Sequence, residues 1–89
     1  MPRTDQLTVI AKRRLVRARA VIYNRVDLTN YPHRILVVYA ARNLFFQRFT
    51  DTIIAAEILE QQGWELISVT PDHGRFVFAT MRRRWIPFT

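Results

Sequence analysis

Few residues in this chain have side chains able to do covalent or metal chemistry, and their spacing does not assemble a reactive centre. His33 and His73 are the only imidazoles, and there is no cysteine. Thiolate catalysis, disulfides and cysteine-ligated metals are therefore excluded. His73 follows Asp72 in Pro71-Asp72-His73-Gly74, where a carboxylate more often caps its own backbone than orients a base. Ser68 has neither an adjacent histidine nor the flanking glycines of a nucleophile elbow. The two glycines, Gly63 and Gly74, are too few and too far apart for a phosphate-cradling loop. No catalytic residue, metal site or cofactor is expected, and the chain reads as a non-enzyme.

The chemistry that the sequence does supply is guanidinium chemistry. Of its 14 basic residues 13 are arginine, and the formal net charge is +7. The charge is segregated: seven cations against Asp5 give residues 1–25 a balance of +6, three arginines against six acids give 26–74 a balance of −3, and four arginines give 75–89 a balance of +4. Codon bias in a GC-rich genome would explain arginine over lysine; it would not explain the clustering. Arginine forks match phosphate and guanine edges, so Arg13, Arg14, Arg17, Arg19, Arg82, Arg83 and Arg84 form the candidate nucleic-acid-binding set, with Tyr23, Tyr31 and Trp85 nearby as stacking surfaces. No helix-turn-helix, zinc finger or RNA-recognition octamer accompanies them. Contacts mainly to the phosphate backbone of DNA or RNA, with steep salt dependence, are the expectation.

Two readings from other classes compete. Trp85, Ile86 and Phe88, in the tail that follows Arg84, offer an apolar segment for a protein partner, and a sheet edge offers another. A basic amphipathic helix also suits an anionic membrane surface, although its apolar side carries neither Trp nor Phe.

The elements that would position these groups follow from periodicity. Thr4 or Asp5 is placed to cap a helix running to about Ile22, with Leu7, Ile10, Ala11, Leu15, Ala18, Val21 and Ile22 on one side and the cations mainly opposite. A strand from Arg17 to Val26 is the alternative, because Val16, Ala18, Ala20 and Ile22 alternate with Arg17, Arg19 and Val21. Residues 27–32 have loop chemistry. His33 to Ala41 is an apolar run without polar alternation, which predicts a central strand buried on both faces or covered by a partner. Leu44, Phe45, Phe46 and Phe49 either begin the next helix or pack beneath it. That helix presents Ile54, Ala55, Ile58, Leu59 and Gln62 on one side, with Thr50 or Asp51 as its cap. Gly63 supplies a left-handed ending, and Trp64 is placed to fold back on Leu59. Trp64 to Thr70 and Arg75 to Arg82 are the arms of a hairpin.

This last stretch, a helix followed by Gly63-Trp64-Glu65-Leu66-Ile67-Ser68-Val69, a short turn and a strand ending in arginine, resembles a family of small bacterial proteins of unknown function with a Gly-Trp-Glu-Leu signature. The resemblance spans Arg34 to Arg83 and implies a β-α-β-β core and frequent self-association, but no activity and no catalytic residues. The arginine-rich N-terminal extension and the tail from Trp85 depart from the pattern.

At 89 residues one α+β domain is expected: a basic extension over 1–25, a β-α-β-β core with a small, mostly antiparallel sheet over 33–82, and a tail over 83–89. The modest core suits a homodimer or larger assembly. No apolar run approaches the ~20 residues that span a bilayer, and the N-terminus lacks the apolar stretch of a secretory signal, so a cytoplasmic location is expected.

Overall fold

In the computed structural model, residues 3–41, 45–72 and 74–84 are described. They form α1 (Arg3–Arg13), β1 (Leu15–Arg17), α2 (Ala18–Ile22), β2 (Ile35–Ala41), α3 (Phe45–Glu60), β3 (Trp64–Pro71) and β4 (Phe76–Arg83). The four strands make one sheet in the order β1-β2-β4-β3. β1 runs parallel to β2, and β4 runs antiparallel to both β2 and β3. The molecule is thus an α+β protein with an N-terminal helix ahead of a β-α-β-β unit, and two of its three strand pairs are antiparallel.

The single helix expected to reach Ile22 is broken. Arg14 adopts φ 61, a left-handed conformation that ends the α1 hydrogen-bond ladder, and its carbonyl accepts from the Val37 N–H at 3.0 Å. Three residues then pair with β2, Leu15 with Val37, Val16 with Val38 and Arg17 with Tyr39, before the chain turns helical again as α2. Pairing with β2 satisfies backbone groups that a continued helix would have satisfied internally. The alternative strand over 17–26 is likewise replaced, by α2.

α3 begins at Phe45 rather than at Thr50 or Asp51, so the aromatic lead-in is its first turn. Its buried side keeps Ala55 and Leu59 of the expected one, with Ile58 packed against the core, and adds Arg48, Thr52 and Ala56, whereas Ile54 is 38% exposed. Ala55 and Ala56 let the helix approach the sheet closely, and the Thr52 hydroxyl is satisfied by donating to the Arg48 carbonyl at 2.8 Å. Gly63 takes φ 93 as the helix terminates, which redirects the chain into β3. Asp72 N–H donates to the Phe76 carbonyl at 2.8 Å and closes the hairpin. Gly74 is not left-handed there. β3 carries a bulge between Leu66 and Ser68, which leaves Ile67 outside the ladder.

One face of the sheet is the core side. Val16, Leu36, Val38, Ala40, Val77, Ala79, Met81 and Trp64 are buried on it, beneath α2 and α3. Tyr31 is fully buried at the end of this layer, where its hydroxyl donates to the Ile35 carbonyl at 2.8 Å. β2 is therefore central, but its burial alternates: the expectation of burial on both faces holds for one only.

Candidate functional site

The break at Arg14 determines where the N-terminal arginines go. Had the helix continued, they would have spread along its solvated side. Instead α1 delivers Arg13, the period-2 alternation of β1 turns Val16 inward and Arg17 outward, and α2 presents Arg19 two residues later. Past α2 the backbone doubles back: Tyr23 N–H donates to the Arg19 carbonyl at 2.9 Å, Asn24 N–H to Val21 at 3.1 Å and Arg25 N–H to Ala20 at 2.8 Å. Asn24 holds φ 55 in this turn, a conformation asparagine tolerates better than most residues.

The result is a groove of about 570 Å³ along the outer edge of β1, with Arg13, Arg17, Arg19 and Arg25 around an apolar floor that includes Ile10 and Val26. Tyr39 forms part of the wall, and its hydroxyl accepts from Arg17 Nε at 3.2 Å. Tyr23, 55% exposed, stands between Arg19 and Arg25, whose guanidinium carbons lie 5.4 and 5.6 Å from its ring centroid. All four arginines are exposed, and no carboxylate is among the described residues lining the groove. A smaller depression of about 140 Å³ beside Arg17 and Arg19 does include Asp51. Four permanent cations around one concavity repel each other, and that repulsion is relieved by an anion bound between them.

The other expected arginines lie elsewhere. Arg14 does not line the groove; its charge acts on the Tyr31 hydroxyl, where it and Arg83 oppose the upward pKa shift that burial imposes. Arg82 donates to Glu65 through both Nε and Nη2, at 3.1 and 2.6 Å, and that bond together with the attraction of its charge holds the Glu65 carboxyl below its ordinary pKa. Arg83 is only 9% exposed. Its guanidinium lies 4.7 Å from the Trp64 ring centroid and 5.9 Å from that of Tyr31, and donates to the Leu28 carbonyl at 2.9 Å. The alternation along β4 that turns Val77, Ala79 and Met81 inward carries Arg83 inward with them, so its guanidinium is engaged inside the molecule rather than presented to solvent. Arg84 is exposed, and its N–H donates to the Gly63 carbonyl at 2.9 Å.

Tyr31, expected as a stacking surface, is instead a core residue against His33 and Trp64. His33 Nε2 lies 3.1 Å from the Ala11 carbonyl, which ties the end of α1 to the loop before β2. Trp85, Ile86, Phe88 and His73 lie outside the described residues. Among the described residues no group of His, Asp and Glu is placed to hold a metal ion, and no helix is long and apolar enough to cross a membrane.

Arg25 and Tyr39 line the groove but were not singled out from the sequence. Arg25 follows an Asn one residue past a helical pattern, a chain-reversal signal; Tyr39 was hidden in a run that reads as buried. Compared with protein-family models, curated proteins and solved structures, the chain matches none.

Proposed function

We propose that this protein is a small, non-enzymatic nucleic-acid-binding protein of the cytoplasm that grips phosphates in the groove at the edge of β1. The observation that carries this reading is the convergence of Arg13, Arg17, Arg19 and Arg25 on one concavity with no carboxylate among its described lining residues. Guanidinium forks bind phosphate bidentately, and an apolar floor strengthens each contact by keeping water from one side of it. A net charge of +7 favours encounter with any polyanion, while the groove gives the attraction a location. Its role would be regulatory or accessory, through contacts that tolerate any sequence.

The competing reading, an assembly module pairing through its sheet edge, is weakened at β3 by the bulge at Leu66/Ser68, since an interrupted ladder is a poor template for another strand. The deciding experiment is fluorescence anisotropy of labelled DNA and RNA at low and near-physiological salt, with wild type and a variant in which the four groove arginines are glutamine. Binding with a steep salt slope in the wild type, strongly weakened and less salt-dependent in the variant, is expected. Unchanged affinity in the variant, or no binding by the wild type even at low salt, refutes the reading.

A further inference from the structure

Composition and burial disagree on the sheet face opposite α2 and α3. β2 is apolar or aromatic from Ile35 to Ala41, yet Ile35 is 40% exposed, and Val37 and Tyr39 are only partly buried. On the neighbouring strand Phe76 and Phe78 point to this same face, also partly buried. The rings form a row: Tyr39 meets Phe76 edge-on with centroids 6.1 Å apart, and Phe76 stacks on Phe78 at 5.7 Å with 26° between planes. α2 and α3 pack on the core side and α1 reaches only β1, so among the described residues no helix covers the row.

The row is joined to the groove. Tyr39 belongs to both, since it lines the groove and pairs in register with Phe78 on one side and Arg17 on the other. The aromatic surface therefore starts where the arginine groove ends, with the Arg17 to Tyr39 hydrogen bond at the junction.

The geometry points to a single-stranded nucleic acid as the ligand of this site, with bases laid on Tyr39, Phe76 and Phe78 and the adjoining phosphates held by Arg17, Arg19 and Arg25. This inference rests on the polyanion reading above and narrows it. A duplex keeps its bases stacked inside and can offer the groove only phosphate, whereas a single strand exposes the π-faces that aromatic platforms bind. A second copy of the chain would also cover the rings, but it would carry Arg17 toward an apolar interface and leave the groove's positive charge unmatched. A single strand covers the rings and matches the charge at once.

The test compares one labelled oligonucleotide as a single strand and as a duplex, by anisotropy at near-physiological salt. Wild type is set beside Phe76→Leu and Phe78→Leu, which keep apolar bulk, and Phe76→Tyr and Phe78→Tyr, which keep the ring. Thermal melting verifies that each is folded. The wild type is expected to prefer the single strand; each Leu variant loses roughly 5- to 100-fold in single-strand affinity, the duplex affinity is unchanged, and the Tyr variants bind like wild type. Equal affinity for strand and duplex, with binding still dependent on the groove arginines, overturns this inference and leaves the polyanion reading standing. Absence of binding to either nucleic acid at low salt overturns both. A wild type that sediments as a dimer, and a Leu variant that does not, also overturns the inference by assigning the face to a second copy. A single-strand preference that folded Leu variants keep in full also overturns the inference, and where a Leu variant fails to fold, equal wild-type affinity for strand and duplex still does.

Discussion

Trp64 and Arg83 are directly paired across β3 and β4, and the guanidinium carbon of Arg83 lies 4.7 Å from the indole centroid on the buried side of the sheet. The pair closes the end of the core, with Tyr31 beside it and the Leu28 carbonyl accepting from the guanidinium. A cation over an aromatic face in a site sheltered from water contributes up to ~2 kcal/mol, and its hydrogen bond to a buried carbonyl contributes further.

Arg83→Ala is expected to destabilise the protein by about 2 to 4 kcal/mol, from the lost aromatic contact, the lost packing and the carbonyl left unpaired. Arg84→Ala, one residue on and exposed, should change stability by less than about 0.5 kcal/mol. Urea denaturation of the two variants checks the contrast, and equal effects would show that burial of Arg83 does not matter energetically. Trp64→Ala, at a site 2% exposed, should cost about 3 to 5 kcal/mol.

Replacing Arg13, Arg17, Arg19 and Arg25 together by glutamine should flatten the dependence of log affinity on log salt by about three, at roughly 0.7 to 0.9 per phosphate contact. Arg14→Gln should leave that slope nearly unchanged, because Arg14 does not line the groove. Titrations of one oligonucleotide at several salt concentrations measure both, and a slope as sensitive to Arg14 as to Arg17 would argue for diffuse attraction instead of a located site.

Arg14→Gly should be neutral or stabilising by up to ~1 kcal/mol. A left-handed φ costs a non-glycine residue about 1 to 2 kcal/mol, partly offset by the greater freedom of glycine in the unfolded chain. Arg14→Val should destabilise, since a β-branched side chain fits φ 61 poorly. Thermal melts of the two variants give the sign.

Two tyrosine and carboxylate shifts set opposite pH limits. Burial raises the pKa of Tyr31 above its ordinary value of 10.0, so its contribution to stability is complete below pH 10 and falls as pH rises toward the folded value. Tyr31→Phe should remove that alkaline decline while costing about 1 kcal/mol at neutral pH through the bond lost to Ile35. The hydrogen bond from Arg82 lowers the pKa of Glu65 from 4.5, so its small contribution is present above about that pH and disappears as pH falls through the folded value. Glu65→Gln should flatten the acid limb slightly. Denaturant midpoints recorded from pH 3 to pH 11 test both; an alkaline decline that survives Tyr31→Phe would assign it to another group.

What the sequence made legible was what local spacing encodes. The apolar run of β2, the helix ending at Gly63 and the hairpin arms around Pro71 and Asp72 depend on neighbours in the chain, and each lies close to its expected bounds. The division of the N-terminal segment was not legible, because an arginine carries no mark of the left-handed conformation that Arg14 adopts and the partner of β1 lies some twenty residues away in β2. Thr50 and Asp51 have capping chemistry, but α3 starts earlier, at Phe45, and buries Thr52 instead. Of the groove's lining, counting cations singled out Arg13, Arg17 and Arg19. Arg83 is buried where it was expected to face solvent, because a terminal cluster of three arginines reads as solvated until strand alternation is applied to each in turn.

The edge strand that carries the groove is held to the sheet by three residue pairs, Leu15 to Val37, Val16 to Val38 and Arg17 to Tyr39. The walls of the groove and the sheet's margin consequently share one strand, and opening that margin would open the groove. If the groove holds a ligand as proposed, solvent exchange of the Val37 amide, whose acceptor is the Arg14 carbonyl, is expected to slow by the factor through which that ligand favours the closed margin. A single backbone amide on the neighbouring strand would thereby report on a groove whose lining does not include it.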